Sequence, residues 1–156
     1  GAEAVKIEGG VQIKDTMKAI VDIDIPVMGH IGLTPQSIHR MGGYKIQGRK
    51  EGQAEALLAD ALAVQEAGAF AVVLEGVPAV LAEKITKEIR IPTIGIGAGP
   101  HCSGQVLVIH DLLGLSGRKL KFARQYADLE KAISEAVKNY LDDVKSGSFP
   151  STEESF

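Results

Sequence analysis

Four side chains of this sequence stand where they could carry out chemistry together. Lys6 and Glu8 lie in the apolar run 4–8, and the alternation of side chains along a strand places both on one face. His30 ends a second apolar run, and Glu75 directly follows the segment Phe-Ala-Val-Val-Leu. A lysine can hold an anionic substrate, one carboxylate can contact a metal ion and another can act as a general base. Each position also has a simpler interpretation, which the pattern leaves open.

The simpler interpretations are structural. Glu75 could cap the next helix or meet an arginine instead of acting as a base. Lys6 and Glu8 could form an internal ion pair, and a lone histidine such as His30 is more often a hydrogen-bonded core residue than a catalyst. Since Mg²⁺ prefers a few carboxylates together with waters and substrate oxygens, Glu8 by itself does not define a metal site.

The other reactive residues suggest less. Asp111 ends the last predicted strand and is a further polar candidate. The glycine run 95–99 is followed by Pro100, so it fits neither the dinucleotide-binding fingerprint nor a Walker loop, and glycine is more simply required there for close backbone packing. We find no zinc-ligand spacing among the remaining histidines and the single cysteine, which are His39, His101, His110 and Cys102.

The composition is that of an ordinary globular protein and excludes several functions. The 156 residues are 45% hydrophobic and 24% charged. Only 4% are aromatic, tryptophan is absent and the net charge is -3, so a nucleic-acid binder is not expected. No apolar run approaches the roughly 20 residues that a membrane span needs. One cysteine cannot form an internal disulfide, and we therefore expect a cytoplasmic protein.

Strand-like and helix-like segments alternate along the chain. Strands are predicted within 4–8, 25–30, 70–75, 91–99 and 105–111. Helices are predicted within 53–67, 78–89 and 128–145, with a further helical pattern around 16–21. Such alternation indicates βαβ units and a parallel α/β sheet, whose active sites lie at the carboxyl ends of the strands. The sheet could be open and doubly wound, or it could be part of a (β/α)8 barrel, which needs roughly 250 residues when whole.

Several motifs follow one another in an order that is found in a known family. They are AVKIEGG at 4–10, VMGHIGLTPQ at 27–36, GGYK at 42–45 with QGR at 47–49, VLEGVP at 73–78, IGIGAG at 94–99 and HDLLG at 110–114. Together they resemble ketopantoate hydroxymethyltransferase. The resemblance runs in register across essentially the whole chain, including the Phe-Pro pair at 149–150.

The resemblance implies a fold and an activity. The fold would be a (β/α)8 TIM barrel, with 1–145 forming roughly its last five βα units and 146–156 a surface tail. The family transfers a hydroxymethyl group from 5,10-methylenetetrahydrofolate to 3-methyl-2-oxobutanoate, giving 2-dehydropantoate in pantothenate biosynthesis. Its members are cytoplasmic homo-oligomers, usually decamers.

The resemblance also implies roles for the four residues. Glu75 would be the general base, and His30 would line the pocket near the transferred hydroxymethyl group. Lys6 would bind the 2-oxo acid, and Glu8 would belong to the Mg²⁺ site. These roles agree with the positions of the residues at predicted strand ends.

In the family, about a hundred further residues precede the strand with the Lys-x-Glu motif, as the size of a whole barrel requires. They carry the first three strands and further metal ligands. We therefore expect this chain to need that missing N-terminal part of the barrel as a partner and to lack turnover alone. Two other functions stay open: a related Mg²⁺-dependent carbon–carbon lyase, and a non-catalytic fragment that only completes an assembly.

Overall fold

Five strands form one sheet in the computed structural model of the chain, which describes residues 1–37 and 46–156. The strands are β1 (Val5–Glu8), β2 (Val27–Gly32), β3 (Ala71–Glu75), β4 (Thr93–Ile96) and β5 (Gly104–Gln105). Neighbouring strands pair in parallel throughout. The predicted α/β fold with a parallel sheet is therefore confirmed. His39 and the motif at 42–45 lie outside the described residues.

Helices connect the first four strands. They are α1 (Lys14–Val21), α2 (Glu51–Glu66) and α3 (Ala79–Glu88). The predicted helices at 53–67 and 78–89 are confirmed to within two residues at each end. Gly68 follows the last turn of α2 with a φ of +92°, the left-handed conformation that glycine adopts most readily after a helix.

The order of the strands in the sheet is their order in the chain. In a doubly wound sheet the strand order reverses at a switch point, and in this sheet it does not. Because crossover connections are right-handed, a sequential order puts the connecting helices on one face of the sheet. The described strands do not close into a barrel, since β1 pairs only with β2 and β5 only with β4.

The face of the sheet that packs against the helices holds the hydrophobic core. Alternate residues of β2 and β3 are fully buried there against side chains of the helices. The largest of these buried side chains are Met17, Val27, Ile31, Val64, Val72, Leu74 and Ile85. We call this the helix face.

The opposite face of the sheet carries the candidate chemistry. Side chains alternate between the two faces along a strand, and the strand register aligns those of neighbouring strands. We call it the site face, and its members are Lys6, Glu8, Met28, His30, Val73, Glu75, Ile94 and Ile96.

Gly29 should not tolerate a larger residue. A Cβ atom at this position would overlap Val64 of α2, so Gly29→Ala should lower the free energy of unfolding by roughly 1–3 kcal/mol through overpacking. The matched control is Gly52→Ala within α2, where the described structure leaves the Cβ position open and the helix should be unchanged or stabilised. Urea titrations of both variants measure the difference, and equal unfolding free energies would contradict the packing.

The chain divides into two compact units, Gly1–Val106 with the sheet and Leu107–Phe156. The second unit contains α4 (Ile109–Leu112) and α5 (Leu129–Ser146). The prediction of a helix at 128–145 is confirmed: Asp128 caps its N-terminus by accepting a hydrogen bond from the Lys131 amide at 3.3 Å. The division into a barrel part at 1–145 and a tail at 146–156 stays a prediction.

The predicted strand at 105–111 is wrong. Strand pairing ends at Gln105, apart from one more hydrogen bond from the Val106 amide to the Gly95 carbonyl. Asp111 lies in α4 and not at a strand end, with its amide bonded to the Val108 carbonyl at 3.0 Å. The physical reason is that a short apolar run fits a helical turn as well as a strand, and periodicity cannot distinguish the two.

Among the described residues, every helix is too short or too polar to cross a lipid bilayer.

Candidate active site

Three of the four candidate residues lie side by side on adjacent strands. Glu8 on β1 is in register with His30 on β2, and His30 is in register with Val73 on β3. Glu75 lies two residues further along β3, on the same face. The structure thus brings Glu8, His30 and Glu75 together at the carboxyl ends of the first three strands.

His30 stands between the two carboxylates. Its Nδ1 atom is 3.6 Å from Oε1 of Glu8, and its Nε2 atom is 3.1 Å from Oε2 of Glu75. The side chains are 3%, 11% and 18% exposed for His30, Glu8 and Glu75. Neither contact is a hydrogen bond, because the one to Glu8 is too long and the one to Glu75 is not aligned. Both ring nitrogens are therefore buried without a hydrogen-bond partner among the described residues.

Backbone groups after β2 hold both carboxylate residues in place. The amide of Gln36, in the short 3-10 helix Pro35–Ser37, donates to Oε2 of Glu8 at 3.0 Å. The amide of Leu33 donates to the backbone carbonyl of Glu75 at 2.8 Å. Gly32 makes this approach possible, because its φ is +91° and a Cβ atom would overlap that carbonyl oxygen.

The turn after Glu8 is fixed from two sides. The amide of Gly9 donates to the carbonyl of His30 at 2.9 Å, which extends the pairing of β1 and β2. The amide of Val11 donates to Oδ1 of Asp60 on α2 at 2.9 Å. Gly10 lies so close to Asp60 that a Cβ atom would overlap the carboxylate. Helix α2 therefore holds the segment that follows Glu8.

Lys6 lies apart from the other three residues. It is exposed, and its register partner on β2 is Met28. In the part of the chain that the structure describes, no ion pair joins Lys6 to Glu8, whose near neighbour is His30. The Lys6 ammonium is thus placed on the site face beside the row of Glu8 and His30.

A cavity of about 420 Å³ opens beside Glu8, between the ends of the first two strands and the start of α2.

A Mg²⁺ ion fits the donor chemistry of this chain only in part. Residues 1–37 and 46–156 bring no group of three histidine, cysteine, aspartate or glutamate side chains together in a metal-binding arrangement. Glu8 offers one hard oxygen donor at the rim of a cavity. Since Mg²⁺ often takes one or two carboxylates and fills its other positions with water and substrate oxygens, Glu8 is compatible with such a site.

Gln36, Gly32 and Asp60 were not predicted from the sequence as parts of the site. For Gln36, the Thr-Pro pair at 34–35 was a usable signal. Proline favours the first position of a helix, where the backbone amides that follow have no partner within the helix and can donate to another group. Gly32 acts by allowing a close approach of two backbone segments. Asp60 acts through a hydrogen bond to a residue 49 positions away in sequence. No local sequence pattern predicts such a contact.

The fold and the site together define a class of protein. It is a parallel α/β protein whose carboxylates and imidazole meet at the carboxyl ends of the strands, the usual place for an active site in such folds. The side chains are those of general acid–base chemistry.

Comparison with known proteins identifies the family. The sequence model of ketopantoate hydroxymethyltransferase matches residues 1–152. The chain belongs to this family.

Curated relatives carry the name 3-methyl-2-oxobutanoate hydroxymethyltransferase. The proteins of Geobacter sulfurreducens and Geobacter metallireducens are 67% and 66% identical to the chain over 157 residues. That of Citrifermentans bemidjiense is 64% identical. Each match covers 100% of this chain and 59% of the relative, so the chain spans about three-fifths of the length of these relatives.

Proposed function

We propose that the chain acts in the transfer of a hydroxymethyl group from 5,10-methylenetetrahydrofolate to 3-methyl-2-oxobutanoate, forming 2-dehydropantoate in pantothenate biosynthesis. The observation that carries the proposal is the state of His30, a buried imidazole between two carboxylates with neither nitrogen hydrogen-bonded among the described residues. Leaving a buried polar group unpaired costs about 1–3 kcal/mol. A site that keeps such a group is suited to a ligand whose oxygen atoms form the missing hydrogen bonds.

Glu75 is the general base in this proposal. It removes the proton from C3 of the keto acid, and the electrons of the C–H bond move through C2 to the keto oxygen. The resulting enolate forms a bond from C3 to the one-carbon unit, and the two bonds that join this carbon to N5 and N10 of the folate break. Water supplies the hydroxyl group, and the two nitrogens take up the proton removed from C3 and the remaining proton of water. The products are 2-dehydropantoate and tetrahydrofolate. His30, 3.1 Å from Glu75, orients the base and faces the transferred group.

Lys6 and Glu8 bind the charged end of the substrate and its metal ion. The Lys6 ammonium attracts the carboxylate of the 2-oxo acid. Glu8 supplies one oxygen ligand to Mg²⁺. When bound, Mg²⁺ provides Lewis-acid stabilisation of the negative charge that develops on the keto oxygen. The Gln36 amide, which donates to Glu8, keeps that carboxylate oriented.

The sheet is proposed to be part of a (β/α)8 barrel of a cytoplasmic homo-oligomer. Two observations support this: the sequential strand order and the separation of a helix face from a site face. Completing the barrel requires strands beside β1 and β5, which each pair with one neighbour among the described residues. We propose that the preceding part of the family, with its first three strands, supplies them, and that these 156 residues do not turn over alone.

The test compares two preparations. One is the 156-residue chain alone. The other is the same chain co-expressed with the segment of the Geobacter sulfurreducens relative that precedes the matched part, which we call the complemented chain. Both are incubated with 3-methyl-2-oxobutanoate, 5,10-methylenetetrahydrofolate and Mg²⁺, and dehydropantoate is measured by mass spectrometry.

We expect product from the complemented chain only, and loss of that product when EDTA removes the metal ion. Equal turnover by the chain alone would contradict the need for a partner. Normal association without product in either preparation would favour the non-catalytic fragment. Cleavage of dehydropantoate that does not require tetrahydrofolate would favour the lyase.

A further inference from the structure

The site face changes from charged to apolar across the sheet. The charged and titratable side chains stand on β1, β2 and β3, and β4 contributes two isoleucines. Ile96 is in register with Glu75, and Ile94 is in register with Val73, the register partner of His30. The base at Glu75 therefore has an imidazole on one side and a branched apolar side chain on the other.

Ile94 and Ile96 are not part of the core against the helices. The alternate residue Thr93 is fully buried on the helix face, where its hydroxyl lies 2.8 Å from that of Thr86 on α3. Ile94 and Ile96 point the other way and are half-buried. On β5, a Cβ atom at Gly104 would lie 3.1 Å from Cδ1 of Ile94, so glycine leaves the position of Ile94 undisturbed. The strand thus presents a small apolar surface beside the base.

The reaction requires such a surface at this place. A base removes a proton only from a carbon that it can contact, so C3 of the keto acid must lie against the Glu75 carboxylate. C3 also carries two methyl groups, and they must occupy the space next to Glu75. The carboxylate end of the substrate is drawn to Lys6 on β1, so the methyl groups point away from β1 towards β4.

Resting on the proposed function, we propose that Ile96, together with Ile94, forms the wall that holds the branched alkyl group of the 2-oxo acid and sets its permitted size. Ile96 is the specificity-determining residue, since it is directly beside the base. The ligand class is a 2-oxo acid that carries a hydrogen and two small alkyl groups on C3. A longer alkyl chain meets the Ile96 side chain.

The test replaces Ile96 by alanine in the complemented chain. Exchange of the C3 proton is followed by NMR in deuterium oxide for 3-methyl-2-oxobutanoate and for 3-methyl-2-oxopentanoate, which is one methylene larger. We expect the kcat/KM ratio of the larger to the smaller acid to rise roughly 10- to 100-fold, the usual range for one methylene in an apolar pocket. Ile96→Val should give a smaller rise in the same direction.

The matched control is Ile23→Ala, because Ile23 lies after α1, is 67% exposed and should leave the ratio unchanged. If wild type exchanges the proton but Ile96→Ala and Ile96→Val keep its ratio, the wall is elsewhere and the inference fails alone. If Ile96→Ala does not fold, the ratio for Ile96→Val decides. If wild type exchanges neither acid, the proposed function itself fails.

Discussion

Replacing Glu75 by glutamine should abolish exchange of the C3 proton of 3-methyl-2-oxobutanoate in the complemented chain. The amide cannot accept the proton, so we expect the rate to fall by roughly 10²- to 10⁴-fold, the usual contribution of a general base. Binding of the keto acid in the presence of Mg²⁺ should change little, because Lys6 and Glu8 hold the charged end. NMR in deuterium oxide measures the exchange, and isothermal titration calorimetry measures the binding.

Glu88→Gln is the control for this prediction, because it removes an exposed carboxylate at the end of α3. It should leave both the exchange and the binding unchanged. Wild-type exchange in Glu75→Gln would remove Glu75 from the role of base. Loss of binding together with exchange would instead make Glu75 a substrate or metal ligand.

Replacing His30 by alanine should give the second largest loss of activity. His30 lies between Glu8 and Glu75, so its removal leaves two carboxylates facing each other across a mostly buried space without the imidazole. We expect proton exchange to fall by roughly 10- to 100-fold, as when a group that orients a ligand or base is lost. His30→Gln should recover part of the rate, since the side-chain NH2 group still offers hydrogen-bond donors.

A matched control separates this effect from the loss of any histidine. His101 has a half-exposed side chain 3.8 Å from Glu83 on α3, and His101→Ala should exchange the proton as wild type does. Thermal unfolding of both variants shows whether the His30 variant is folded. A folded His30→Ala with the wild-type exchange rate would leave His30 a purely structural residue.

Much of the site could be predicted from the sequence because two simple rules act on it. Side chains alternate along a strand, which places Lys6 and Glu8 on one face, and parallel strands end at the same edge of the sheet. Together these rules predicted that Lys6, Glu8, His30 and Glu75 would lie at one edge of the sheet; the structure brings the last three together and leaves Lys6 apart. Their individual roles rest on the resemblance to the family and stay predictions.

Other features depend on contacts that the sequence does not display. The register that sets Glu8 beside His30, and Glu75 beside Ile96, cannot be deduced from one strand at a time, because it depends on how the buried residues of neighbouring strands align. The hydrogen bond between Asp60 and the turn after Glu8 joins residues from different elements. The last strand was predicted wrongly because the apolar run at 106–109 has only four residues, too few for periodicity to separate a strand from a helical turn.

Every role proposed for this site depends on formation of an enolate of the keto acid. The most direct measurement is the exchange of the C3 proton of 3-methyl-2-oxobutanoate in deuterium oxide, catalysed by the wild-type complemented chain with Mg²⁺ and without folate. We expect the C3 proton signal to disappear at a rate proportional to the concentration of the complemented chain, and we expect EDTA to stop the loss. A C3 proton that persists under these conditions, in a preparation that forms dehydropantoate once folate is added, would contradict it.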